Sequence, residues 1–163
     1  GLIKSGLILA EAATLEGKKV VQLQSYGAEA RGGASRSDVI LSHEQIDYPG
    51  VIALDVLVAM SQEAYDRYLH LVKPEGIVIF DSGLVKPALV EGIVQYGVPF
   101  TEIAESIGDK MYANSVALGY LIAVTGIVSK ETVKQVLAKR LPENSVKANL
   151  KAFDEGYKRG CTR

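Results

Sequence analysis

This chain of 163 residues is poor in cysteine and has no tryptophan. Its one cysteine, Cys161, excludes a disulfide within the chain. A cysteine-ligated iron–sulfur cluster held by this chain alone is also excluded, because such a cluster needs about four thiolates. Low cysteine usage is typical of a reducing compartment, so we expect a cytoplasmic protein.

An excess of charge of one sign is also lacking. Lys and Arg total 18 against 19 Asp and Glu, a formal net charge of −1. Such a balance supplies no domain-wide basic field for nucleic acid or anionic membrane. No apolar run reaches the roughly 20 residues that span a bilayer, and the first residues lack the features of a signal peptide. We therefore expect no nucleic-acid partner and no membrane association.

What is present is an ordinary globular composition, with 48% hydrophobic and 23% charged residues. Because domains usually have about 100–200 residues, and because no repeat or linker is visible, we predict a single domain over residues 1–163. A helix that opens an α/β domain usually follows a strand and a glycine-rich turn. We therefore expect that an N-terminal strand and glycine-rich loop are missing before Gly1.

Short apolar strands alternate with helices through the first hundred residues. Strands are predicted at residues 19–25, 35–42, 55–59, 76–80 and 98–104. Helices are predicted at residues 2–15, 61–72, 109–125, 129–140 and 143–159, with a turn at 74–76 and irregular or weakly helical chain over 84–97. This order predicts an α/β fold that is Rossmann-like, with a mostly parallel sheet flanked by helices and a mainly helical C-terminal third.

Familiar catalytic motifs are absent. The chain has no G-x-S-x-G, H-E-x-x-H, C-x-x-C or complete P-loop, so we predict no catalytic residue and no metal site. For His43 and His70 a structural role is favoured, and Cys161 has no histidine near it in sequence. Asp81 follows a predicted strand at the end where α/β ligands gather, but it could equally cap a turn with Ser82.

The most informative stretch is the loop Tyr26–Ser37, which carries a tyrosine, a glutamate, two arginines and three glycines. Arg31 and Arg36 suit recognition of a carboxylate or a phosphate. The glycines permit close approach of a partner to the backbone. An ion pair between Glu29 and either arginine on a tight turn is the alternative, and residue spacing does not separate the two interpretations.

At these residues the chain resembles the gamma subunit of 2-oxoacid:ferredoxin oxidoreductases, and its sequence is most similar to the 2-oxoglutarate type. The loop block is S25-Y-G-A-E-A-R-G-G-A-S-R-S37, and Gly1-Leu2-Ile3 with L9-A-E-A-A13 resembles the end of the family's glycine-rich opening and its helix. The other matching blocks are D55-V-L-V-A-M-S-Q-E-A-Y65, G76-I-V-I-F-D-S82, P99-F-T-E-I-A104, N114-S-V-A-L-G119 and T125-G-I-V-S129. Ordered blocks over nearly the whole chain make the resemblance specific for the family.

The resemblance implies a gamma-type domain of a multi-subunit complex that is inactive alone. Such a complex oxidatively decarboxylates a 2-oxoacid to acyl-CoA and passes electrons to ferredoxin. Thiamine diphosphate, Mg and iron–sulfur clusters would be held by alpha and beta subunits, with a ferredoxin-like delta subunit as a further candidate, and coenzyme A would be a co-substrate. This chain would bind no cofactor alone: the Gly-Asp-Gly opening of a thiamine diphosphate motif is broken at Gly108-Asp109-Lys110.

By position, the resemblance implies that this chain covers the active site and helps to handle coenzyme A. The predicted site residues are Gly1, Tyr26, Gly27, Glu29, Arg31, Gly32, Gly33, Ser35 and Arg36. Arg31 and Arg36 would meet phosphate, carboxylate or a neighbouring subunit. A surface made for large partners leaves apolar area exposed, so the isolated chain could form a homo-oligomer.

Two other hypotheses stay open. A stand-alone Rossmann-type nucleotide-binding module would need an acidic ribose ligand about 20 residues beyond the glycines, where this chain has Gln24 and Ser25. A self-sufficient enzyme built on the loop would need a nucleophile and a base in reach of each other, and no such pair is visible in the sequence.

Overall fold

The computed structural model describes residues 2–17, 19–25, 36–42 and 53–163, with side chains in 5–17 and 53–163. The helices are α1 (Leu2–Leu15), α2 (Gln62–Tyr68), α3 (Phe100–Ile107), α4 (Ala113–Thr125), α5 (Lys130–Arg140) and α6 (Glu143–Cys161). The strands are β1 (Lys19–Ser25), β2 (Arg36–Ser42), β3 (Leu54–Ala59), β4 (Val72–Asp81) and β5 (Val94–Val98). No helix in these ranges combines the length and the apolarity that crossing a membrane requires.

A parallel sheet of β3, β4 and β5 forms the centre, with β4 in the middle. Continuous apolar runs such as Ile77–Phe80 in β4 are typical of parallel strands covered on both faces. The predicted α/β fold with a parallel sheet and a helical C-terminal region is confirmed. Strands β1 and β2 add a separate antiparallel ribbon, with Lys19 opposite Ser42 and Ser25 opposite Arg36.

The two faces of the parallel sheet differ in what covers them. On one face, which we call the thick face, Val58 and Ile79 pack into a cluster built from α1, α3, α4, α5 and α6. On the other, the thin face, the described residues that pack against Leu57, Val78 and Phe80 come from α2, the short turn after it and the segment that joins β4 to β5. The alternation follows from the period of two in a strand.

Helices α4 and α6 approach each other so closely that only glycine fits at the contact. A Cβ atom built on Gly119 would overlap the carbonyl oxygen of Phe153, and one built on Gly156 would overlap that of Val116. Backbone therefore meets backbone along this pair. Their cluster includes Val116 and Phe153, both fully buried.

Two predicted elements were wrong. The predicted strand 98–104 is instead helix α3, because Phe100, Ile103 and Ala104 form a helical stripe that is buried on the thick face. The last strand, β5, lies earlier, at Val94–Val98, inside the stretch predicted to be irregular.

Two further boundaries also differ from the prediction. The helix expected over 61–72 ends at Tyr68, with a short 3₁₀ turn before β4. The expected turn at 74–76 lies within β4 as an irregularity: Leu54 pairs with Val72 and Val56 with Ile77, so β4 has extra residues there. Glu75 has a left-handed backbone with φ 69°.

Candidate functional site

Most of the predicted site falls outside the described part of the chain. Gly1, Tyr26, Gly27, Glu29, Arg31, Gly32, Gly33 and Ser35 are outside the described residues, as is His43. The backbone of Arg36 is described as the first residue of β2, opposite Ser25 at the end of β1. The predicted loop therefore joins the two strands of the antiparallel ribbon.

The first helix lies against this ribbon. A short connection after Leu15 leads into β1, and α1 contacts both β1 and β2. A 14-residue helix is about 21 Å long and a seven-residue strand about 23 Å. Helix α1 is thus similar in length to the strands that it contacts.

Asp81 ends β4 at the carboxyl edge of the parallel sheet and is 0% exposed. Its Oδ2 accepts hydrogen bonds from the backbone N–H of Thr101 at 3.0 Å and the Thr101 hydroxyl at 2.6 Å. Its Oδ1 accepts from the N–H of Gly83 at 3.0 Å. Thr101 lies in the first turn of α3, where a negative charge is favourable. The carboxylate thus caps the turn that contains Ser82, as one sequence interpretation predicted, and it also holds β4 to α3 through Thr101, which the sequence did not suggest.

The remaining single candidates are dispersed. His70 is exposed in the turn after α2, and Cys161 is exposed at the end of α6. Asp55 pairs with Lys73 at 2.9 Å on the amino edge of the sheet. Across the described ranges, no three His, Cys, Asp or Glu side chains are grouped as metal ligands.

Sequence reasoning missed a set of side chains that hold the segment between β4 and β5. The Tyr65 hydroxyl accepts from the Ala88 N–H at 2.9 Å and donates to Gln95 Oε1 at 2.6 Å. The Gln95 amide donates to the Ala88 carbonyl at 2.7 Å. The Lys86 N–H donates to Gln62 Oε1 at 2.7 Å, and the Gln62 amide donates back to the Lys86 carbonyl at 3.3 Å. No local pattern signals these contacts, because the partners come from α2 and β5.

Described residues line a cleft and a smaller cavity. A cleft of about 460 Å³ lies at the amino edge of the sheet, between residues 73–77 and the end of α4, beside the Asp55–Lys73 ion pair. Ligands of α/β sheets gather at the opposite, carboxyl edge. A cavity of about 60 Å³ among α1, α4, α5 and α6 is lined partly by Ser115 and Asn149, which bond each other at 2.6 Å, and is too small for a substrate.

Charge is unevenly distributed in a chain whose net charge is nearly zero. Residues 53–112 contain nine acidic and four basic residues, whereas residues 129–163 contain nine basic and four acidic residues. Part of the basic charge is paired within the fold. Lys134 contacts Asp154 at 2.8 Å, and Arg140 donates to Glu11 at 2.5 Å. The Arg140 hydrogen bond is the main reason that the pKa of Glu11 lies below its usual value.

Comparison with known proteins connects this geometry to a family. The sequence model described as "Pyruvate ferredoxin/flavodoxin oxidoreductase" matches residues 1–159. The 2-oxoglutarate synthase subunit KorC of Methanocaldococcus jannaschii is 45% identical over 161 residues, which cover 96% of this chain and 86% of the relative.

Two solved structures share the fold. The gamma subunit of a keto/oxoacid ferredoxin oxidoreductase from Geobacter sulfurreducens is 41% identical with a TM-score of 0.89, over 100% of this chain and 93% of that one. A 2-oxoglutarate:ferredoxin oxidoreductase from Magnetococcus marinus, solved with 2-oxoglutarate, coenzyme A and succinyl-CoA bound, is 30% identical with a TM-score of 0.91. The match covers 100% of this chain but 29% of the Magnetococcus chain.

Proposed function

This chain belongs to the pyruvate ferredoxin/flavodoxin oxidoreductase family and is a gamma-type subunit of a 2-oxoacid:ferredoxin oxidoreductase; from that premise we propose that its complex acts on 2-oxoglutarate. The observation that carries the proposal is the 45% identity to a 2-oxoglutarate synthase subunit over nearly the whole of both chains. In the proposed reaction the bond to the carboxylate breaks and CO₂ leaves. Two electrons pass to ferredoxin, and the thiol of coenzyme A takes the succinyl group.

The proposed companions are alpha and beta subunits, with a ferredoxin-like delta subunit as a further candidate. They would hold thiamine diphosphate, Mg and the iron–sulfur clusters. The single cysteine of this chain does not fit an iron–sulfur cluster, which needs about four thiolates. Asp109, in the broken Gly-Asp-Lys motif, accepts the Met111 N–H at 2.8 Å and so caps a turn. No electron-transfer step is therefore assigned to this chain.

For this subunit itself we propose a role in covering the active site and handling coenzyme A. The loop Tyr26–Arg36 and Gly1 would face the bound co-substrate or a neighbouring subunit. Support comes from the described backbone: α1 packs on the ribbon that carries the loop, and the N-terminus of a helix favours a phosphate. Arg31 and Arg36 would add guanidinium groups suited to phosphate or carboxylate.

A stand-alone dinucleotide-binding module is less well supported. In such a module the strand after the first helix lies parallel to its neighbours and ends in the acidic ribose ligand. Here β1 follows α1 but pairs antiparallel with β2. This arrangement is unlike the repeated βαβ units of a dinucleotide-binding sheet.

The direct test is to co-express this chain, tagged, with the genes that neighbour its own, and to assay the purified material. We expect viologen or ferredoxin reduction that depends on 2-oxoglutarate and coenzyme A, in a brown, iron-containing complex. Preference for pyruvate or a branched 2-oxoacid would overturn the substrate proposal. A colourless chain purified without companions would overturn the subunit role and return attention to nucleotide titrations.

The role of the loop is tested by Arg31→Ala in the complex. We expect a loss of activity, seen as a higher KM for coenzyme A if the guanidinium meets phosphate, with thermal unfolding of the isolated chain unchanged. Lys151→Ala, on the exposed side of α6, is a matched control that removes the same charge elsewhere. An equal loss of thermal stability in Arg31→Ala would show that the arginine is structural.

A further inference from the structure

Among the described residues, a single short helix, α2, covers the thin face of the parallel sheet. Such sheets are covered by helices on both faces, because the crossover between two parallel strands is usually a helix. Between β4 and β5 the crossover is residues 82–93, which form no helix. Only Val85 of this segment is buried among the apolar residues beneath it.

The same segment presents large aliphatic side chains to solvent. Leu84 is 53% exposed, Leu89 105% and Val90 38%, in a stretch of seven residues. We call these three residues the apolar strip. Single exposed aliphatic residues are ordinary on protein surfaces, whereas a concentration of them marks a contact surface.

The strip is held in place rather than left loose. Tyr65 and Gln95 bind both backbone groups of Ala88, and Gln62 binds both backbone groups of Lys86. At the other end of the segment, the Glu75 N–H donates to the Gly92 carbonyl at 2.6 Å. A surface fixed before binding loses less conformational entropy when a partner covers it.

The charge of this segment and the chain length of one relative indicate which partner covers the strip. Residues 83–94 carry one lysine and one glutamate, so the complementary surface must be apolar with little net charge. In the Magnetococcus oxidoreductase, the segment equivalent to this whole chain is 29% of one polypeptide. More than two thirds of that polypeptide is therefore tethered to this domain. In the Methanocaldococcus relative the match covers 86% of the chain, so there the equivalent of that remainder would be a separate subunit, and we infer the same arrangement here.

We propose that the apolar strip is the docking surface for the companion subunit that corresponds to the rest of the longer relative. This inference rests on the proposed function, because it needs the complex to exist. The companion covers the strip, beside α2, with an apolar, nearly uncharged surface. Because the contact is apolar, the assembled complex should withstand salt that would screen surface ion pairs.

The test compares capture of companion subunits by tagged wild-type chain and by the variant Leu84→Ser/Leu89→Ser, after co-expression. We expect the variant to retain at least tenfold less companion protein, with the thermal unfolding of the isolated chain unchanged. Leu15→Ser is the matched control: Leu15 is an exposed leucine at the end of α1, outside the strip, and its change should leave capture unaltered. Wild-type complex should also survive washing in molar salt.

The outcomes separate this inference from the proposed function. If wild-type chain captures companions and the double variant captures them equally well, the strip is not the interface and the subunit role stands. If wild-type chain captures nothing, the proposed function fails and the inference with it. If the isolated chain is a dimer by light scattering and the double variant is a monomer, a second copy covers the strip, which overturns the proposed occupant.

Discussion

The two faces of the parallel sheet differ in how many helices cover them. On the thick face, helices from both ends of the chain bury Ile79, Val116 and Phe153 completely. On the thin face, one short helix and an extended crossover cover Val78 and Phe80, and the crossover exposes Leu89 to solvent. In the described part of the chain, five helices cover the thick face and one covers the thin face, where we have proposed that a companion subunit docks.

Both faces use close, specific contacts, but of different kinds. The thick face relies on apolar packing and on backbone contact between α4 and α6. The thin face relies on hydrogen bonds from glutamine and tyrosine side chains to a single extended segment. Packing contributes stability in proportion to buried area, whereas these hydrogen bonds chiefly fix the position of a segment that buries little.

The largest effect is expected from Gly156→Ala, on the thick face. Its Cβ would overlap the backbone of Val116, so α4 and α6 must separate, at a cost of more than about 3 kcal/mol. Chemical denaturation of the isolated chain would measure this loss. Gly83→Ala is the control, because its Cβ meets nothing nearer than 3.4 Å. Equal stability of the two variants would contradict the close backbone approach.

A smaller loss is expected from Asp81→Ala, where β4 meets α3. The change leaves the N–H groups of Gly83 and Thr101 without their acceptor in a part-buried position, which costs roughly 2 kcal/mol. The free energy of unfolding from denaturant titration measures it. Thr101→Val, which removes the hydroxyl and retains the backbone bond, should cost less. A Thr101→Val loss as large as that of Asp81→Ala would show that the hydroxyl dominates.

Tyr65→Phe should affect the thin face alone. Removing the hydroxyl deletes the bonds to Ala88 and Gln95, which lowers stability by about 1 kcal/mol and loosens the crossover. Hydrogen exchange of residues 86–90 should become faster. Tyr157→Phe, on the thick face, keeps the ring that Lys130 contacts and should leave that exchange unchanged. Unaltered exchange in Tyr65→Phe would mean that the glutamines alone hold the segment.

The smallest effect concerns the exposed link between α1 and α5. Arg140 lowers the pKa of Glu11, so the folded state binds a proton less readily than the unfolded state. The resulting stability is present above the ordinary glutamate pKa of 4.5 and is lost as pH falls through the lower folded value. The difference in Tm between wild type and Glu11→Gln should therefore be present at pH 7 and disappear in acid. A difference that persists in acid would exclude this ion pair as its source.

The parts of the fold that local patterns specify were predicted well. Strand β1 and helix α1 match the predicted bounds, and the apolar run of β4 correctly indicated a parallel strand. The stretch 98–104 was ambiguous, since its Val98, Phe100 and Ile103 suit a strand and a helix about equally well. Contact with α4 decides in favour of the helix, and such tertiary contact is not readable locally.

The candidate site shows the same distinction between features that are signalled locally in the sequence and features that depend on distant contacts. The resemblance located the loop Tyr26–Arg36 from its residues, and its residue roles stay predictions. The hydrogen bonds from Gln62 and Tyr65 to residues 86–88 could not be predicted, because these partners are 24 and 23 residues away in the chain. Asp81 fell between these cases: its position was recognised, but the partner that fixes its role, Thr101, is 20 residues away.

The apolar strip, held in place by the hydrogen bonds described above, also bears on how the amount of this subunit is controlled. A chain that leaves apolar side chains exposed remains a target for chaperones and proteases until a companion subunit binds. Copies made in excess of their companions would be removed, while assembled copies persist. We expect the level of this subunit in the cell to follow the supply of its companions rather than its own rate of synthesis.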